Sequence, residues 1–86
     1  MNNQRRKELE KIIARIEDVR SEIEEIKDAI EMVRDEEEVA YDNLPESIQD
    51  SDRGQAMQDA INALDYVDLD FDFDDAIDNI REAIDC

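Results

Sequence analysis

The feature that most constrains this chain is an apolar stripe in its first half. Leu9, Ile12, Ile16, Val19, Ile23, Ile26, Ile30, Val33, Ala40 and Leu44 follow one another in a three-four rhythm, with Glu37 the one intruder. Such a rhythm, sustained over several heptads, marks the narrow face of a helix that packs on another helix. Leu9, Ile16, Ile23 and Ile30 take the a positions, and Ile12, Val19, Ile26 and Val33 the d positions. Ile13, Ala29 and Met32 broaden the stripe. The pattern predicts a helix over about residues 3–43. Pro45 ends it, because proline pushes Leu44 out of the helical region and has no N–H to continue the ladder. A connector over 44–51, with one helical turn starting at Pro45, then leads to a cap at Asp50 or Ser51.

A second helix is expected over about 52–85. Met57, Ala60, Leu64, Val67 and Phe71 form one stripe, and Phe73, Ile77, Ile80 and Ile84 another. The two fall out of phase by one residue, which turns the apolar face by about 100°. Between Asp65 and Asp75 apolar and acidic residues alternate with a period of two, a strand-like pattern with no second strand to pair with. The helix therefore overwinds near 68–74, breaks with Asp72 as a new N-cap and Asp75 at its N3 position, or shows two faces to two partners, ranked in that order.

Laid antiparallel, Ala40 meets Met57, Val33 meets Leu64, Ile30 meets Val67 and Ile26 meets Phe71. Further out Val19 meets Ile77, Ile16 meets Ile80 and Ile12 meets Ile84. Arg20, Lys27 and Arg34 fall at e positions, opposite Asp75, then Asp68 and Asp70, then Asp65. Such pairs set register and orientation. The expectation is an all-α fold, one domain over 1–86, built as an antiparallel two-helix coiled-coil hairpin. Phe71 and Phe73 point to different faces, one in the seam and the other exposed or at a second interface; if that other is exposed, a homodimer making a four-helix bundle follows. Arg5-Arg6-Lys7 and Asp35-Glu36-Glu37-Glu38 both have the wrong sign for the macrodipole of the first helix. The basic cluster is expected to find Glu82 and Asp85 across the hairpin, while the acidic one has only Arg53 near it.

Charge narrows the function. Ten Lys and Arg face twenty-seven Asp and Glu, for a net of −17, which repels nucleic acid and anionic membranes and favours basic partners. No histidine is present, so the usual general base and commonest metal ligand are missing. Cys86 is the lone cysteine, without an evident base, and Gly54 is the lone glycine, so neither an intrachain disulfide nor a phosphate loop can form. The carboxylates lack a desolvated pocket that would separate acid from base. The reading is a non-enzyme with no cofactor and no metal, in the cytoplasm of a bacterium or a phage-infected cell. A calcium loop starting at Asp70 fails, because Asp75 stands at its sixth position and Arg81 at its twelfth.

From Asp59 to Asp85 there are ten carboxylates and one cation, Arg81. On one helix Asp65, Asp68, Asp72 and Asp75 would share a face, and Asp70, Asp74 and Asp78 another. Asp is a poor helix former, so its abundance asks for a reason. The face is either a solvated surface that prevents aggregation or a phosphate-like row offered to a basic protein, such as a nucleic-acid-binding host enzyme. Tyr66, Leu69 and Phe73 form a candidate second interface. Met32, Met57 and Ile61 read as core, and Tyr41 as packing of the hairpin tip.

The stretch Ala40-Tyr41-Asp42-Asn43-Leu44-Pro45-Glu46-Ser47-Ile48-Gln49, followed by Ser51 and Arg53-Gly54, resembles a group of uncharacterised small acidic helical proteins of Firmicutes and their phages. The likeness covers nearly the full length, including the Ala-Ile-Asp units at Ala76-Ile77-Asp78 and Ala83-Ile84-Asp85. It implies a helical hairpin in a mobile-element setting and no established activity. By looser analogy, small acidic phage proteins often inhibit host nucleic-acid enzymes, defence nucleases included. The functional expectation is therefore a nucleic-acid mimic that blocks a basic surface, and the alternative is a coiled-coil oligomerisation or adaptor module.

Overall fold

The computed structural model describes all 86 residues and is all-α. Its helices are α1 (Asn3–Asp42), α2 (Glu46–Gln49), α3 (Asp52–Asp65) and α4 (Phe73–Asp85). Two compact units share the chain: residues 1–25 with 70–86, and residues 26–69.

In the first unit, the early part of α1 runs antiparallel to α4. Arg20 pairs with Asp74, Glu17 lies 3.8 Å from Arg81, and the Arg6 Nε–H donates to the Ile84 carbonyl at 3.0 Å. Ile13 and Ile77 are buried in this unit, and Leu9, Ile16, Ile80 and Ile84 are half-buried. In the second unit, the later part of α1 runs antiparallel to α3. Arg34 pairs with Asp65 at 2.7 Å, and the Gln58 Nε2–H donates to the Tyr41 hydroxyl at 2.9 Å. Ile61 and Gly54 are buried there, with Ile30, Met57 and Leu64 half-buried.

The inward side of α1 differs from the expected one. Its buried and half-buried residues are Arg6, Leu9, Ile13, Ile16, Arg20, Ile23, Lys27, Ile30, Arg34, Glu37, Glu38 and Tyr41, all but Glu38 at a and e positions. The d positions face solvent: Ile12 is 40% exposed, Val19 51%, Ile26 37% and Val33 55%. The apolar pattern located the stripe, but the cations at e turn the helix toward them.

The single helix expected over 52–85 is two helices. Residues 67–72 are not helical, a wider gap than 68–74 would suggest at its start and narrower at its end. The break prevails over the overwound helix that ranked first. In a continuous helix Val67, Leu69, Phe71 and Phe73 would point alternately to opposite sides, and only one side can be buried. Aspartates four apart, Asp68 with Asp72 and Asp70 with Asp74, would also repel. The chain instead restarts at Asp72, whose carboxylate accepts the Asp75 N–H at 2.9 Å. Asp74 and Asp75 then fall in the first turn of α4, where the macrodipole favours them. The phase resets, so Phe73 is half-buried and Phe71 exposed, the reverse of the continuous-stripe reading.

Ends are satisfied across elements. The last turn of α4 carries no cation of its own, and Arg6 supplies one at the Ile84 carbonyl. The basic cluster of α1 thus finds a backbone carbonyl, where Glu82 and Asp85 had been expected. Glu38 finds Arg34 instead of Arg53. At the turn, α2 is the helical turn expected at Pro45, and the Gln49 Nε2–H donates to the Tyr41 carbonyl at 3.1 Å. Ser51 is the cap of α3: its side chain accepts the Gly54 N–H at 3.5 Å and donates to the Ile48 carbonyl.

Gly54 is where α2 and α3 meet. A Cβ there would overlap the Gln49 carbonyl oxygen and lie 2.7 Å from the Gln49 Cα. Both are backbone, so the neighbouring turn must move. Gly54→Ala would gain about 1 kcal/mol of helix propensity and lose about 1–3 kcal/mol to overpacking. We expect a net loss of stability, read as a lower urea midpoint at unchanged slope. Ala56→Gly, at an exposed site of the same helix, should cost only the propensity difference.

Candidate acidic binding surface

The seven aspartates singled out by sequence divide between the units. Asp65 and Asp68 belong to the second, and Asp70, Asp72, Asp74, Asp75 and Asp78 to the first. All seven are exposed. Because residues 67–72 are not helical, the two faces drawn on a continuous helix do not exist. What remains in the first unit is a group around the start of α4. Asp72 caps it, Asp74 and Asp75 stand in its first turn, and Asp78 follows four residues after Asp74 and three after Asp75.

Their engagements differ. Asp74 pairs with Arg20, whose guanidinium also lies over the Phe73 ring at 5.7 Å from its centroid. The Asp74 side chain is nevertheless 86% exposed. A pair so open to water contributes about 0–1 kcal/mol and leaves most of the carboxylate available. Asp72 is committed to its cap. Asp75 donates its backbone N–H to that cap, and no ion pair holds the carboxylate of Asp75 or Asp78.

Asp65 is held by its own chain through a forked contact. Arg34 Nε and Nη2 reach its two oxygens at 2.7 and 3.5 Å, while Nη1 reaches Asp35 at 3.2 Å and also pairs with Glu38. The Arg34 guanidinium is raised above its ordinary value, first by the Asp65 hydrogen bond and then by that to Asp35. A raised arginine keeps its contribution at every pH below its ordinary, already strongly basic value, so on the cation's side this network does not switch near neutrality. Asp65 is a structural residue here, and the e-position pairing expected for it is present. Arg20 takes Asp74 in place of the expected Asp75, one residue along.

The candidate second interface divides too. Tyr66 is exposed and Leu69 half-buried in the second unit. Phe73, in the first, is half-buried beneath Arg20, and Phe71 is the phenylalanine left outside, its ring centroid 5.8 Å from that of Phe73. Ile61 is core and Met57 half-buried, but Met32 is 63% exposed, with Val39 at 59%. The signal that would have found Met32 and Val39 is their shared c position, one heptad apart and away from the seam.

No group of three or more potential ligands among His, Cys, Asp and Glu converges on a metal-sized site. No helix is long and apolar enough to cross a membrane. No known family, curated protein or solved structure matches the chain.

The Asp72 cap sets where α4 begins. Asp72→Ala should lower stability by about 0.5–2 kcal/mol, with loss of helical circular dichroism, while Asp72→Ser restores most of it. Equal stability of all three would show that α4 starts without the cap.

Proposed function

We propose that this chain is a non-enzymatic acidic binding protein that occupies a basic, nucleic-acid-binding surface of another protein. The observation that carries the reading is the exposure of Asp70, Asp72, Asp74, Asp75 and Asp78 around one helix start, in a segment where Arg81 is the only cation. A basic groove that accepts phosphates takes carboxylates for the same Coulombic reason, and a net charge of −17 steers the encounter. The mimicry is local to this helix start: no rigid rod of evenly spaced charges is required of it. A host defence protein as target, a mobile-element setting and a bacterial cytoplasm belong to the same proposal.

The second reading is a coiled-coil module in which the units act as one hairpin and two hairpins join in a four-helix bundle. The exposure of Ile12, Val19, Ile26 and Val33 favours it, because a d stripe left open is what a further helix would cover. Self-assembly would bring two chains of −17 together, which weighs against it at low salt.

The test is capture of partners from host lysate at low and high salt, with duplex DNA or RNA as competitor. The first reading predicts capture that falls at high salt, is displaced by nucleic acid, and drops at least about tenfold in the combined variant Asp70→Asn, Asp74→Asn, Asp75→Asn and Asp78→Asn. Capture indifferent to both nucleic acid and those four changes would sink it. A salt-tolerant dimer by light scattering would instead support the module.

A further inference from the structure

The second unit carries an apolar surface that the chain itself leaves uncovered. Within residues 26–40, α1 turns Ile30 toward α3 and Ile26, Ala29, Met32, Val33, Val39 and Ala40 toward solvent. Ile26 and Val33 form one column and Met32 and Val39 another, each pair seven residues apart. Two turns of helix advance about 10 Å, so the columns are two layers of the kind into which a docking helix inserts its side chains. A stretch of helix that is apolar on both its inward and outward sides is the pattern of a helix with neighbours on both.

The rim says what kind of neighbour. Asp28, Glu31, Asp35 and Glu36 line the shallow groove around Met32 and Val39, and no cation lies among its lining residues. The two cations of this stretch, Lys27 and Arg34, are half-buried on the inward side, with Arg34 held by Asp65, Glu38 and Asp35. Residues 26–69 carry thirteen carboxylates against Lys27, Arg34 and Arg53. A second copy would set this acidic rim against its own like, and like charges face to face suppress that pairing. An anionic membrane is repelled for the same reason.

We propose that this face of α1 docks an amphipathic helix of a partner protein, with apolar residues at three-four spacing that seat on Met32, Val39, Val33 and Ile26, flanked by Lys or Arg that meet Asp28, Glu31 and Glu36. The inference rests on the reading of the chain as a binder of basic proteins, and names the segment that the second unit takes. The partner helix lies about 8–10 Å from the α1 axis. Apolar burial holds it, and the carboxylates choose its sign.

The experiment uses the full chain and two synthetic peptides of about three heptads with identical composition of leucine and lysine. One has leucine at a and d, and the other has the same residues scrambled so that no apolar face forms. Binding is read by fluorescence anisotropy at about 0.15 M salt. The amphipathic peptide should bind at least about tenfold tighter than the scrambled one. Met32→Ser with Val39→Ser should erase that preference with circular dichroism unchanged, since both side chains already face water. Asp28→Asn with Glu36→Gln should weaken the amphipathic peptide while keeping its preference over the scrambled one. The four asparagine changes near α4 should leave the preference intact, so this face can fail while the α4 carboxylates succeed, or the reverse. Equal binding of the two peptides, or a preference that survives Met32→Ser with Val39→Ser, would overturn the proposal. So would self-association of the chain abolished by those two changes, which would make a second copy the occupant.

Discussion

The pairing of e-position arginines on α1 with aspartates of the later helices decides which way the long helix faces. Arg20 meets Asp74 and Arg34 meets Asp65, each within its own unit. Such pairs contribute little by themselves, about 0–1 kcal/mol each. Their leverage comes from the alternative. Turning α1 by one heptad position, about 50°, would bring Val19 and Val33 inward and carry Arg20 and Arg34 away from Asp74 and Asp65. Both aspartates are exposed, so the turn forfeits the two pairs without burying a charge. Arginine also contributes its methylene stem to the seam, so the inward side stays packed around a charged tip.

That rotation has consequences elsewhere. With a and e inward, only Ile13, Ile61 and Ile77 are buried apolar side chains. So small a core makes each terminal detail count. The Asp72 cap starts α4, Ser51 starts α3, and the Arg6 guanidinium closes the end of α4 on the Ile84 carbonyl. Arg6, of the wrong sign for the start of its own helix, serves the end of the neighbouring one. The d positions, released from the seam, become surface, and with Met32 and Val39 they turn part of α1 into a helix with two apolar sides.

Local chemistry was legible in the sequence where it depends on a few adjacent residues. The long helix, its end before Pro45, the helical turn after it, the Ser51 cap and the Asp72–Asp75 capping pair all follow from neighbours along the chain. The Arg34–Asp65 pair was legible because heptad spacing and hairpin register both point to it. The rotation of α1 was not, since hydrophobic spacing ranks a with d and is silent on whether charged residues at e outweigh them. The break at 67–72 was placed second because period-two alternation weakens a helix without saying how far the weakness extends. Gly54 looked idle in sequence, and only the angle between α2 and α3 shows the backbone contact that excludes a Cβ. The acidic surface was legible as composition, while its arrangement depended on the break.

The facing of α1 is the claim on which the rest stands, and thiol accessibility reads it position by position. Single cysteines would replace Ile12, Val19, Ile26 or Val33, and separately Ile16, Ile23 or Ile30, with Cys86 changed to serine, and modification rates would be measured in dilute solution. With a and e inward, cysteines at Val19 and Val33 should react at least about tenfold faster than those at Ile16, Ile23 and Ile30, with Ile12 and Ile26 between. Protection at the d positions equal to that at the a positions would contradict it, and would return the helix to an ordinary a-and-d seam.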